Sequence, residues 1–456
     1  MNRSNDKMNQ SGTFAVLTWG CQMNVDDSEQ ISNILIQMGY RQAASEIDAD
    51  VIMLNTCSVR SKPEQKVRSK LGELRELKEQ KPDLIIGVCG CMAQKEGEAL
   101  RRRAPHIDMV IGTANLDRIP ELISEVRHRR HPLAALSLPR GANDEARLPG
   151  RLADREPLGM KSFVPIMYGC DNFCSYCVVP YVRGKERSRG PEDVVDEVRL
   201  LAERSVKDVT LLGQNVNSYG NTLDRDIDFA DLLALINQVP GIERIRFMTS
   251  HPKDLSDKLI RAIADLPKVC EHLHLPIQSG DDEILRAMRR GYTAAQYVRL
   301  VEKLRAAVPD IVLTTDLLVG FPGETEEQFE NTLRIAEKVR FDSAFMFAFN
   351  PMKNTAAAAM PSQLAPGVKN ARLRRLIEVQ NKITVEINRS RVGHTYEVLV
   401  EGISQKESTK VTGLTRGNKT VNLKGDESLI GKLIRVRAVE GHLWGYGGEG
   451  SQGYRV

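Results

Sequence analysis

Three cysteines stand close together in "MYGCDNFCSYCVVPYVRG": Cys170, Cys174 and Cys177, spaced C-x3-C-x2-C. Iron–sulfur cubes are held by Cys thiolates, and close spacing lets one short loop wrap one cube. A closed structural site, whether cube or zinc, takes four ligands. No fourth cysteine lies near this loop, so one iron keeps an open position of the kind a substrate can occupy. A zinc knuckle that borrows a distant ligand is the bland alternative. The loop's place after the first strand of a repeated α/β run speaks against it.

Three more cysteines are far apart in sequence but similarly placed: Cys21 in "TWGCQMN", Cys57 in "NTCSVR" and Cys91 in "GCMAQ". Each ends an apolar run that reads as a strand, namely "TFAVLTWGC", "ADVIMLNTC" and "DLIIGVCGC". Between them, "DDSEQISNILIQMGY" reads as a helix with Asp27 or Ser28 as N-cap and Gly39 as stop. Its apolar face is Ile31, Ile34, Leu35 and Met38. A second helix is expected from Pro63 to Gln80. Repeated βα units predict a parallel, doubly wound sheet, whose strand C-termini form the edge where ligands bind. The three cysteines can converge there. Cys89 lies two residues before Cys91, on the same face if the strand continues, and is either a rival ligand or a packing residue. Cys270 has no cysteine partner and reads as core.

The chain has 456 residues, with 64 Lys+Arg against 60 Asp+Glu and 41% hydrophobic residues. That composition excludes a disordered chain and predicts about three domains. No apolar run reaches the roughly 20 residues of a membrane helix, and the polar N-terminus does not read as a secretory signal. A cytoplasmic location is expected, and with it cysteines that bind metal rather than form disulfides. The fold class is α/β. A doubly wound parallel sheet domain is expected over 12–127, a Pro/Gly/Arg-rich linker over 128–160, a partial (βα)6 barrel over 161–388 and a small β-barrel over 389–456. The barrel strands are read in "FVPIMYG", "DVTLLGQN", "RIRFMTS", "HLHLPIQS", "IVLTTDLLVGF" and "SAFMFAFN". From residue 389 on there are 11 Lys+Arg and 7 Asp+Glu, a difference of +4. A basic small domain suits a polyanionic partner or is simply solvated.

C-x3-C-x2-C after the first barrel strand, with Tyr176 just before the third Cys, resembles the radical S-adenosylmethionine (SAM) enzymes. The resemblance implies a 4Fe-4S cluster whose open iron chelates SAM, and a 5′-deoxyadenosyl radical as the reactive species. It places Gly213 and Gln214, at the end of the next strand, where the family binds the SAM amino group. "TWGCQMN", "NTCSVR" and "GCMAQ" are similar to the N-terminal domain of the methylthiotransferases. That likeness implies a second 4Fe-4S cluster on Cys21, Cys57 and Cys91. The tail resembles the TRAM domain, an OB-like RNA-binding barrel, with Arg416, Asn418 and Lys419 beside a turn and facing phosphates.

"CQMN", "CSVR…EQKV", "GQNVNSY" and "TGLTRGNKTV" are similar to the branch that adds methylthio to carbon 2 of N(6)-dimethylallyladenosine at position 37 of tRNAs. Branches acting on threonylcarbamoyladenosine or on a ribosomal protein side chain are the alternatives. The implied partners are tRNA and an electron donor such as a flavodoxin, with the sulfur source open. The chain departs from the family at "NPMKNT" (Asn350 to Thr355), where a "RPGT"-like turn is usual.

Other charged and polar motifs carry weaker readings. Arg183, Lys185, Arg187 and Arg189, just after the cluster loop, are expected to face RNA. His272 and His274 alternate on a strand and read as packing or hydrogen-bonding residues. "RRR" (Arg101 to Arg103) and "RHRRH" (Arg127 to His131) read as solvated runs. "VGFPGET" (Val319 to Thr325) lacks the ending of a phosphate loop and reads as a strand-to-helix turn near SAM.

Overall fold

A computed structural model describes residues 12–58, 61–129, 131–138 and 159–450. Most of the expected linker, Arg130 and residues 451–456 lie outside the described residues. The chain divides into two compact units. One joins the N-terminal sheet to Phe163–Asp171 and Val178–Arg189. The other holds Asn172–Cys177 and everything from Gly190 on.

The first unit alternates β1 (Thr13–Trp19), α1 (Gln22–Gln37), β2 (Arg41–Gln42), β3 (Val51–Thr56), α2 (Ser61–Gln80), β4 (Ile85–Gly90), α3 (Cys91–Glu96), α4 (Glu98–Arg103), β5 (Met109–Ile111), α5 (Ile119–Arg129) and β6 (Leu133–Ala135). The sheet order is β2-β1-β3-β4-β5-β6, parallel throughout. Strands covered on both faces read as continuous apolar runs, and every residue of β3 and β4 is buried. Alternate side chains feed two cores. Val51, Met53 and Cys89 pack with Ile31 and Leu35 of α1 and Ile123 of α5, while Ile52, Leu54 and Val88 pack with Leu71 and Leu74 of α2.

The start of α1 differs from the sequence expectation. The helix begins at Gln22 with Cys21 as its N-cap, and Asp27 and Ser28 lie buried inside it. Their polarity serves side-chain bonds, not capping. Ser28 Oγ accepts from Thr18 Oγ1 at 2.7 Å, and Asp27 accepts from a distant arginine described below.

Beyond the linker come β7 (Lys161–Pro165), β8 (Met167–Tyr168), α6 (Val179–Arg183) and β9 (Arg187–Ser188). β8 and β9 pair antiparallel, Met167 with Ser188 and Tyr168 with Arg187. The cysteine loop is thus an excursion between two paired strands.

The second unit carries β10 (Asp208–Leu212), β11 (Arg244–Phe247), β12 (His272–His274), β13 (Val312–Val319) and β14 (Ser343–Ala348). Their helices are α7 (Pro191–Glu203), α8 (Phe229–Asn237), α9 (Asp257–Asp265), α10 (Asp282–Ala287), α11 (Ala294–Ala307), α12 (Glu326–Val339) and α13 (Pro366–Ser390). β10 pairs parallel with β11, and β12-β13-β14 form a second parallel sheet. A parallel bridge from Ile245 to Val269 continues the wall between the sheets, giving the expected partial barrel. Thr293 and Thr325 begin α11 and α12 with reciprocal capping by the Gln three residues on. The "NPMKNT" turn places Asn354 at φ 72°, a left-handed conformation Asn tolerates better than most residues.

The tail closes into a five-stranded barrel, β15 (Thr395–Ile403), β16 (Lys410–Thr415), β17 (Thr420–Lys424), β18 (Leu433–His442) and β19 (Gly445–Gly450), in the order β15-β16-β17-β19-β18. Val398, Val400, Val411, Val421, Ile434 and Tyr446 fill it. It docks on the N-terminal ends of the larger barrel's strands through buried charge. Arg244, fully buried at the start of β11, donates to Leu414 O at 2.7 Å and to Glu397 O at 3.0 Å. Arg246 donates to Arg416 O and Thr415 O at 2.7 and 2.8 Å while pairing with Asp208 at 2.8 Å.

Candidate cluster sites and the barrel mouth

In the first unit the C-terminal ends of β1, β3 and β4 deliver Cys21, Cys57 and Cys91, as the strand pattern predicts. A buried amide pair fixes the edge. Asn24 Nδ2 donates to Asn55 Oδ1 at 3.1 Å, and Asn55 Nδ2 returns bonds to Asn24 O and Ser28 Oγ, both at 2.9 Å. Asn24 Oδ1 also accepts from Cys21 N and Sγ at 3.3 and 3.4 Å. Glycine makes the last turn into Cys91. Gly90 has φ 87°, and a Cβ there would lie 2.4 Å from Asn55 Oδ1.

The thiols are electrostatically joined. A hydrogen bond from Cys57, helped by the Arg183 charge and the nearby Asn24 and Met23 backbone, pulls the Cys21 thiol down to about 5 against desolvation. Burial pushes the Cys91 thiol up, and Arg183 opposes it. Cys89 is different. The chain turns at Gly90, so Cys91 opens α3 while Cys89 stays in the β4 core, fully buried and bonded weakly to Leu54 O at 3.5 Å. Burial, with the Asp27 charge adding to it, pushes its thiol far up.

Arg183 is corrected from an RNA-facing residue to a buried one. Its side chain is 5% exposed and bonds Asp27 Oδ2 at 2.7 Å, itself 4% exposed. Asp27's carboxyl is pushed up to about 6 by burial, against the pull of Arg183. Arg189 is buried too, donating to Pro165 O at 2.7 Å. Arg187 is half-buried, which leaves Lys185 as the exposed cation of the four. A short helix and a strand pair with little surface turn these side chains inward.

The cysteine loop itself is set by Gly169 (φ 77°), where a Cβ would lie 2.0 Å from Lys185 O, and Cys170 N donates to Gly184 O at 3.2 Å. In the second unit Cys177 N bonds Cys174 O at 3.0 Å. Arg290 Nη1 lies 3.4 Å from Cys174 Sγ, held by Pro276 O at 3.0 Å and Tyr292 Oη at 2.9 Å. Tyr176 packs beside Ile284, Met288, Phe321 and Phe349.

The strand ends above Cys174 carry polar atoms with no protein partner among the described residues: Gln214 Oε1, Asn215 Oδ1, both Asn217 amide atoms, Ser250 Oγ and His251 Nε2. Each such orphan costs about 1–3 kcal/mol unless something fills it. They belong to one rim. Val216 N donates to Thr249 O at 3.1 Å, Asn215 Nδ2 to Asp254 at 2.7 Å, and the His251 ring meets Tyr292 edge-on at 5.7 Å. Gly213 is buried at the same strand end, beside Gln214. Burial, Arg290 and Lys253 push His251 down to about 2, so it is a neutral donor or acceptor. Such a rim fits a polar, zwitterionic ligand such as SAM.

Among the described residues, no three His, Cys, Asp or Glu side chains are gathered as ligands of one metal ion. A 4Fe-4S cube differs in placing each thiolate on its own iron, and a donor set of three thiols with one buried arginine beside them suits that anionic group. His272 and His274 share Thr314 Oγ1 at 3.3 and 3.0 Å, with Asp316 3.6 Å from His274, which makes a hydrogen-bonded pair. Cys270 is core, its thiol pushed up to about 11 by burial. Arg101 and Arg103 pair with Glu98 and Glu96, and Arg127 lies over the Tyr40 ring. "VGFPGET" is a strand-to-helix turn in which Glu324 accepts from Gly320 N at 2.7 Å and from Arg372 at 2.8 Å.

Arg416 and Lys419 are corrected as well. Arg416 is bidentate on Glu271 at 2.7 and 2.8 Å, and Lys419, 8% exposed, donates to Asp342 O at 3.0 Å. Both serve the docking of the small barrel, because the turn that carries them faces the larger one. Asn418, at φ 59°, shapes that turn. Lys432, Arg435 and Arg437 are exposed on or beside β18.

Residues 164–336 match the radical SAM superfamily, 13–112 the uncharacterized protein family UPF0004 and 389–444 the TRAM domain. The fold resembles the radical S-adenosylmethionine methyltransferase TsrM from Kitasatospora setae, with a TM-score of 0.56 at 15% identity over 76% of this chain and 77% of that one. Proteins described as tRNA-2-methylthio-N(6)-dimethylallyladenosine synthase are 49% identical in Thermoanaerobacter pseudethanolicus (96% of this chain, 92% of that protein) and 48% in Moorella thermoacetica (96% and 98%). Similarity of that depth along nearly the whole chain means that the chain belongs to the tRNA-2-methylthio-N(6)-dimethylallyladenosine synthase family.

Proposed function

We propose that this protein is a radical SAM methylthiotransferase that converts N(6)-dimethylallyladenosine at position 37 of tRNAs to its 2-methylthio derivative. The observation that carries the reading is the pairing of two cysteine triplets, each at strand C-termini, in a chain nearly half identical to synthases of that name. Cys170, Cys174 and Cys177 hold the cluster that binds SAM. Cys21, Cys57 and Cys91 hold the auxiliary cluster. When bound, these cofactors would supply the methyl group and a radical able to attack a strong, non-acidic carbon–hydrogen bond, with the auxiliary cluster carrying the sulfur to be transferred.

The chain's own residues bind and orient. Arg290 faces Cys174 with a fixed positive charge. Gln214, Asn217, Ser250 and His251 offer the polar rim for SAM and the adenine. Geometry of this kind replaces a bimolecular encounter by a positioned one. An anticodon-loop base can be splayed out to reach it. Lys432, Arg435 and Arg437 suit the backbone phosphates of tRNA, in place of Arg416 and Lys419. Among the described residues no helix is long and apolar enough to cross a membrane, and a tRNA substrate suits a cytoplasmic enzyme fed by a donor such as a flavodoxin.

The test is nucleoside mass spectrometry. Reconstituted protein given SAM, a low-potential reductant, a sulfur source and an isopentenylated anticodon stem-loop should yield the 2-methylthio nucleoside. Unmodified adenosine or threonylcarbamoyladenosine should yield none, and product from either substrate would overturn the assignment.

A further inference from the structure

We propose that Arg183 is a positioning residue for the auxiliary cluster: its guanidinium, anchored by Asp27, sets the charge around Cys21, Cys57 and Cys91 and thereby the cluster's potential. The inference rests on the reading of that trio given above. Arg183 ends α6, a short helix that starts directly after the Cys170–Cys177 loop. α6 packs on α3, whose first residue is Cys91, and Thr113 Oγ1 bonds Val182 O at 2.6 Å to pin its end. The guanidinium therefore reaches the cysteine edge from one side and Asp27 of α1 holds it at 2.7 Å.

A buried guanidinium needs compensation, since an unmatched interior charge costs several kcal/mol. Asp27 supplies one carboxylate oxygen to one terminal nitrogen of a guanidinium that has five N–H donors, both side chains being buried, so donors remain for the cysteine edge beside it. Cys21 and Cys91 are the other groups that attract Arg183. The ion pair is thus half of an arrangement completed by anionic thiolates. The potential of an iron–sulfur cluster follows its net charge and the hydrogen bonds to its sulfurs, and a fixed cation stabilises the reduced, more negative state. Arg290 beside Cys174 is the corresponding cation at the other triplet.

The experiment uses the full chain with Cys170, Cys174 and Cys177 all changed to Ala, so that only the auxiliary cluster can form. Iron and sulfide are counted after anaerobic reconstitution, and the midpoint is read by EPR-monitored redox titration. Arg183→Gln should lower the midpoint, Arg183→Lys should stay near the parent, and Asp27→Asn should raise it. Opposite signs at two contacting residues are what a charge effect gives and a packing effect does not. Should Arg183→Gln take up no iron, the Lys and Asn variants decide by the same signs. Unmoved midpoints, or shifts of one sign in both Arg183→Gln and Asp27→Asn, overturn the proposal. A parent chain that binds no cluster in this background overturns the reading of the trio, and the inference with it.

Discussion

Glycine precedes three of the six cysteines proposed to hold the clusters, and each time the side chain it lacks would strike something specific. A Cβ at Gly20 would lie 2.2 Å from Asn24 Oδ1, at Gly90 2.4 Å from Asn55 Oδ1 and at Gly169 2.0 Å from Lys185 O. Gly90→Ala should therefore cost about 1–3 kcal/mol of stability from its positive φ alone. It should also halve the iron bound, because Cys91 would turn away; iron analysis and thermal unfolding of the same sample check both. Cys174→Ala should abolish reductive SAM cleavage, read as loss of 5′-deoxyadenosine. Cys57→Ala should lose the methylthio product while some cleavage persists. The strand-end positions of Cys21, Cys57 and Cys91 were legible because apolar runs mark the strands they follow. Arg183 and Arg290 were not, since their partners Asp27 and Cys174 lie 156 and 116 positions away in the chain. A run such as "YVRGKERSRG" says that charge is present and nothing about which way it points.

Elements were legible where periodicity is strong and misread where polar residues sit inside them. β10 to β14 lie where apolar runs put them, but α1 starts six residues before Ser28 because its acids are buried and bonded. β12 illustrates a titration consequence. Burial, followed by Arg246, His274 and Lys419, pushes His272 down to about 3, below the unfolded value near 6.5. The folded state thus refuses a proton that the unfolded chain accepts. Stability is complete above pH 6.5 and falls as pH drops below it, by about 2 kcal/mol between pH 6.5 and 5 for one such group. Urea midpoints should decline over that window, and His272→Asn should flatten the decline. Arg244→Met should release the small barrel, detected as new proteolytic cutting between α13 and β15, since Leu414 O and Glu397 O would lose a buried donor.

At the scale of the molecule, domain order was visible from motifs, whereas the way the small barrel is fastened was not. Its positive charge reads from sequence as an RNA surface, yet Arg416 and Lys419 are spent on Glu271 and Asp342. Changing Lys432, Arg435 and Arg437 to Gln should weaken tRNA binding and reduce the slope of log affinity against log salt by roughly 2–3. Changing Arg416 and Lys419 should lower stability and leave that slope nearly intact. Fluorescence anisotropy across a salt series separates the two outcomes.

The small barrel is bolted to the N-terminal rim of the larger one, and Cys174, Arg290 and His251 crown the opposite rim. The eight residues of β13 between these rims measure roughly 26 Å. A nucleic acid that grips both must drape along the flank, so its footprint will extend well past the modified loop and into the paired arm. Truncated hairpins that keep the loop but shorten the arm would then react yet bind poorly, and arm length would act as a gauge of substrate choice.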